Sequence, residues 1–180
     1  MSELTEETKE DITYLESVST ALDIALSEED LAEIKEELIH SGYMRRKFNK
    51  KKVKIKNKPL HYLSSDGYHI YVGKNNLQND WLTFEFAVGN DWWFHAKNTP
   101  GSHVVVRTNG DELPDRTFEE AGRLAAYYSK ARGGEKVEID YIEKKHVKKP
   151  KGAKPGFVVY YTNYSLIIDS DIGDLKEISD

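Results

Sequence analysis

Residues 91–108 read DWWFHAKNTPGSHVVVRT. Pro100-Gly101 is a turn pair, and the flanking residues Trp92–Ala96 and His103–Arg107 are rich in aromatic and β-branched types. The stretch predicts two strands joined by a turn. Side chains alternate along a strand, so Trp92 and Trp93 point to opposite faces. One belongs to the core. The other is either covered by a helix or left as a stacking surface for a base, and the expectation is core for both.

Working outward, HYLSS (61–65) and YHIYVG (68–73) are strand-like around the hairpin signal Asp66-Gly67. GKNNLQNDWLTFEFAVGN (73–90) opens on polar residues and continues with Leu77, Trp81, Leu82, Phe84 and Ala87. That spacing predicts a helix of about three turns. On the other side, Pro114 and the capping box Thr117–Glu120 start a second helix. Its expected buried face is Phe118, Ala121, Leu124, Ala125 and Tyr128, and Gly133-Gly134 ends it. Lys136–Ile142 alternates as a strand does, and Phe157–Tyr161 and Ser165–Asp169 read as two more. The class is α+β: a mostly antiparallel sheet with two main packed helices, preceded by an N-terminal helical arm.

The chain of 180 residues divides by charge. Residues 1–42 hold thirteen acids against two bases, a charge of −11, and the remainder holds 24 bases against 18 acids, a charge of +6. In the arm, Ile12, Leu15, Ser19, Leu22 and Leu26 form a mostly apolar stripe at helical spacing. Ser27-Glu28-Glu29-Asp30 caps a second helix whose face is Leu31, Ile34 and Leu38, with Gly42 as its stop. The arm is either a helical hairpin folded onto the body or the stub of a longer coiled coil, with the stub favoured because so short and acidic an arm is not stable alone. Residues 43–58, YMRRKFNKKKVKIKNK, carry nine bases and no acid. They read as a solvated basic linker or a phosphate-contacting arm, which Met44 and Phe48 could pin to the body. Residues 59–180 form the main domain.

Composition excludes several classes. There is no cysteine, which removes disulfides, thiolate chemistry and sulfur-ligated zinc. No apolar run approaches the ~20 residues of a membrane span. The acidic start MSELTEETKED lacks the apolar region of a signal peptide. A cytoplasmic protein with no membrane partner is expected. His95 and His103 can face each other across the turn, with Asp91 and Ser102 near. Yet no GxSxG, HExxH or Walker loop accompanies them, so catalysis is not expected, nor a metal or cofactor.

Binding is the better reading. Lys74, Asn75, Asn76 and Asn79 crowd a helix start with more polar groups than capping needs. His95, Lys97, His103 and Arg107 add donors on the adjacent hairpin. The segment Lys144–Lys154, KKHVKKPKGAK, is punctuated by proline and glycine. Lys144, Lys145, Lys148, Lys149 and Lys151 there supply charge for phosphates without sequence specificity.

GKNNLQNDWLTF, DWWFHAKNTPGSHVVVRT, EEAGRLAAYYSKAR and VKKPKGAKPGFVVYY, in that order, resemble the C-terminal NFACT-R region of the NFACT family from about His61 to Tyr161. The arm is similar to the end of the family's middle coiled coil. The resemblance implies RNA binding in ribosome-associated quality control: contact with the large ribosomal subunit, with tRNA and with a stalled nascent chain that receives a C-terminal tail, alanine in bacteria. The family's tRNA-selecting N-terminal domain and its helix-hairpin-helix region have no counterpart in this sequence, so tail synthesis is not expected of these residues alone. An older family label, fibronectin-binding protein A-like, implies a rival partner, fibronectin.

Overall fold

The computed structural model describes residues 2–179. Seven strands run at Leu60–Leu63 (β1), His69–Val72 (β2), Trp92–Ala96 (β3), Val104–Val106 (β4), Val137–Glu143 (β5), Tyr164–Ile168 (β6) and Lys176–Glu177 (β7). They form one sheet in the order β6-β5-β3-β4-β2-β1-β7, and every pairing is antiparallel. With the helices described below, this is the α+β architecture anticipated from the sequence.

The two tryptophans show how the sheet is covered. Helix Asp115–Tyr127 (α4) lies on one face, where Trp92 meets Phe118 at 5.0 Å and Tyr141 at 5.7 Å between ring centroids. Trp93 points to the opposite face and is fully buried with Leu82, Val105, Ile142 and Val147. Helix Asn76–Trp81 (α3) and a π turn at Leu82–Phe86 cover that side. A buried ring of this size contributes about 3–5 kcal/mol, judged by what its removal costs. The continuous Val104-Val105-Val106 run suits a strand buried on both faces, and all three valines are fully enclosed.

Three local features differ from expectation. The predicted three-turn helix ends at Trp81 and widens into the π turn, with the Ala87 amide bonded to the Leu82 carbonyl at 3.0 Å. The wider turn brings Phe86 against Trp81, at 5.3 Å, and turns the Phe86 carbonyl toward Arg107. The expected strand at 157–161 pairs only through an isolated bridge between Lys148 and Val159. Strand β7 was not anticipated, because two exposed polar residues carry no period.

The arm is a helical pair, Ser2–Ile24 (α1) and Glu28–His40 (α2). Ser27 caps α2 by accepting from the Asp30 amide at 3.1 Å, as the capping signature implies. The buried face of α1 is Tyr14, Val18, Ala21 and Ile24, and the first three pack with Ile34. The apolar stripe of the sequence faces outward: Ile12, Leu15, Leu22 and Leu26 are exposed, as is Leu31 on α2. Helix α1 has apolar residues on two faces, and tertiary polar contacts select between them: the Tyr14 hydroxyl donates to Glu37 at 2.8 Å, and Ser17 accepts from Asn76 at 2.8 Å.

The basic linker folds back along α2. Arg46 grips Glu36 with two bonds of 2.6 and 2.7 Å, the Val53 amide donates to the same carboxylate, and Lys56 pairs with Glu29 at 3.2 Å. Met44 and Phe48 do not pin it, since both are exposed, Phe48 to 95%.

Candidate nucleic-acid interface

The polar motif after β2 faces inward. Asn75 caps α3 by accepting from the Gln78 amide at 2.8 Å, and the Gln78 side chain accepts from the Lys74 amide at 2.9 Å. Helix α2 supplies Asp30, Glu33 and Glu37, spaced to share one side, and each takes a partner from the motif. Lys74 Nζ reaches Asp30 at 2.7 Å, Asn75 Nδ2 donates to Glu33 at 3.2 Å, and Asn76 Nδ2 donates to Glu37 at 2.9 Å. Asn79 accepts from the His103 amide at 3.1 Å. A Cβ on Gly73 would overlap the Asn79 side chain, so only glycine lets the turn close here. Asn75, Asn76 and Asn79 are buried. The group expected to present donors to RNA is thus the joint that holds the acidic arm on the sheet. A buried amide opposite a buried carboxylate satisfies both groups, which explains these polar residues better than capping alone.

The hairpin residues are equally committed. His103 is 2% exposed and its Nε2 lies 3.0 Å from the Gly156 carbonyl, which can only accept. The ring proton therefore sits on Nε2, and Nδ1 accepts from the Thr83 hydroxyl at 2.8 Å. Burial, and then the neighbouring His95, drives the His103 pKa well below the usual imidazole value. His95 is half-buried, stacked on Trp93 at 5.7 Å, and burial lowers its pKa too. Arg107 lies 4.0 Å over the Phe86 ring and donates to the Phe86 carbonyl at 2.8 Å. Lys97 pairs with Glu138 at 2.9 Å on the surface. None of the four offers an unengaged donor cluster.

The lysine-rich segment divides into two sets. Lys149 turns inward, to Asp80 at 3.0 Å and to the carbonyls of Lys154 and Phe157. Lys154 meets Asp11 at 2.6 Å and lies over the rings of Tyr14 and Tyr43. Gly156, at φ +82°, lies against Asn76, and a Cβ there would overlap the asparagine. The segment is thereby fastened across the arm–sheet joint. Lys145, Lys148 and Lys151 remain exposed, and Lys144 partly so. Only Lys145 of these has an acidic partner among the described residues, Glu143 at 3.2 Å.

Two exposed rings beside these lysines were missed in the sequence: Phe157 and Tyr161, 54% and 76% exposed. The sequence pattern places both in the strand expected at 157–161. The available signal was their alternation with Val158 and Tyr160 beside a basic run.

A cleft of about 370 Å³ on the α4 side is lined by Arg116, Arg123, Glu119, Glu120, Asp169 and Asp171 among others, a mixed-charge surface ill-suited to polyanions. Among the described residues no group of three or more metal-ligating side chains could hold an ion, and no helix is long and apolar enough to cross a membrane.

The chain is thus an α+β protein with an antiparallel sheet and a fastened basic ribbon. Residues 58–162 match the family model described as the NFACT protein RNA binding domain, and residues 1–57 match that of the NFACT N-terminal and middle domains. The chain belongs to the NFACT family. It is 51% identical over 161 residues to the Rqc2 homolog RqcH of Streptococcus suis, covering 89% of this chain and 29% of that protein. It is 48% identical over 172 residues to the protein of the same name from Streptococcus pneumoniae, covering 95% and 31%. The chain thus spans about three tenths of the length of these curated relatives. Among solved structures, the C-terminal part of the fibronectin/fibrinogen-binding protein from Streptococcus suis superposes with a TM-score of 0.88 at 48% identity, over 94% of this chain and 68% of that one.

Proposed function

We propose that this chain is the RNA-contacting part of a cytoplasmic ribosome quality control factor. It binds the large ribosomal subunit or tRNA and supports C-terminal alanine tailing of stalled nascent chains. The observation that carries the reading is the ribbon at 144–161. Its inward lysines are held by acids and carbonyls, whereas Lys148 and Lys151 face solvent unpaired within the stretch matching an RNA binding domain. A cation on a fastened backbone loses less ordering entropy on meeting phosphate than one on a free tail. The relatives' names support the quality-control setting.

The chain acts by binding rather than turnover. Its two hairpin histidines are engaged in packing and backbone contacts, with their pKa values lowered. The exposed apolar stripe of α1 supports a coiled coil continuing from the arm.

The test is binding of this chain to purified large subunits and to free tRNA across a salt series, with fibronectin in parallel. Saturable binding to either RNA target that weakens steeply with salt is expected. Salt-resistant, saturable binding to fibronectin alone would overturn the reading in favour of adhesion.

A further inference from the structure

The isolated bridge fixes which residues of the ribbon face out. Lys148 and Val159 exchange two backbone hydrogen bonds, each 2.9 Å, so they lie opposite each other. Alternation from that pair sends Val147, Val158 and Tyr160 inward, where they pack around Trp93, and sends Lys149 inward to Asp80. The same alternation sends Lys148, Phe157 and Tyr161 outward, and all three are exposed. Lys151 is exposed at the bend between the two segments. The backbone beneath Phe157 is tied: its amide donates to the Lys154 carbonyl at 3.1 Å, and its carbonyl accepts from Lys149 at 2.9 Å.

The result is two aromatic rings interleaved with unpaired cations on a fastened ribbon. Exposed rings give base-stacking platforms, and lysine acts as a point charge for phosphate. A base paired within a duplex keeps its faces covered by its neighbours, so the rings select unpaired nucleotides. We infer that the outward face of the ribbon is a single-stranded RNA site, with Phe157 and Tyr161 stacking on unpaired bases and Lys148 and Lys151 holding the flanking phosphates. This rests on the RNA-binding reading above and specifies its substrate class.

The experiment measures affinity of this chain for an unstructured oligoribonucleotide and for an abasic ribose-phosphate oligomer of equal length. The unsubstituted protein should prefer the base-bearing strand by about tenfold or more. The variant F157A/Y161A should lose that preference while keeping its affinity for the abasic oligomer and its melting temperature, and Y161W should retain the preference. K148E/K151E should weaken both oligomers. If F157A/Y161A binds the base-bearing strand as well as the parent does, while K148E/K151E still weakens it, the stacking inference is overturned and the RNA-binding reading stands. If the parent binds neither oligomer at low salt, both fail.

Discussion

Two polar stretches of this chain look alike on paper and behave oppositely in the fold. GKNN at 73–76 and the lysine ribbon at 144–154 are both rich in donors and both punctuated by glycine. The first is consumed by three acids of α2 and holds the arm against the sheet. The second spends Lys149 and Lys154 on fastening itself and leaves Lys148 and Lys151 to solvent. A donor's partner, rather than its chemical type, decides whether it builds structure or waits for a ligand.

The comparison can be broken at the joint first, where the largest effect on stability is expected. Asn76→Ala leaves the Glu37 carboxylate short of a donor in a buried site and should cost about 2–4 kcal/mol in denaturant unfolding. A loss below about 0.5 kcal/mol would mean that water replaces the amide freely. Gly156→Ala tests the contact between ribbon and joint. The strained φ and the overlap with Asn76 should cost about 1–3 kcal/mol. Unchanged stability would show that the ribbon is not seated on Asn76.

A pH titration sharpens the inward half. Burial lowers the pKa of His103, and to a lesser degree His95, below the ordinary value of 6.5. Below about pH 6.5 the unfolded chain binds more protons than the folded one, so stability is present above that pH and is lost as pH falls. The Tm should drop from about pH 6.5 toward about pH 5, less steeply in His103→Gln. The smallest effect belongs to Lys97→Ala. Its pair with Glu138 is exposed and screened, so thermal melting should show no resolvable shift in Tm.

The sheet was legible because its signals are local. Asp66-Gly67, Pro100-Gly101 and the alternation of 136–142 each fix a turn or strand without reference to the rest of the chain. The buried face of α1 was not legible. Apolar residues occur on two sides of that helix, and the choice falls to Tyr14 and Ser17, whose partners Glu37 and Asn76 are distant in sequence. The role of GKNN was hidden for the same reason: its acids lie about forty residues upstream, and pairing across that distance leaves no period to read. In the ribbon, charge was legible but direction was not, because one bridge at Lys148–Val159 determines which lysines turn in.

The most direct test sets the two stretches against each other in one assay. Large-subunit binding is measured across a salt series for the parent, for K145E/K148E/K151E and for K74M. The account predicts that the outward triple variant flattens the slope of log K against log salt by about 2, from roughly 0.7 per lost phosphate contact, and that K74M leaves the slope unchanged. An unchanged slope in the triple variant, or a slope that falls only in K74M, would contradict the assignment of the ribbon as the RNA-facing surface.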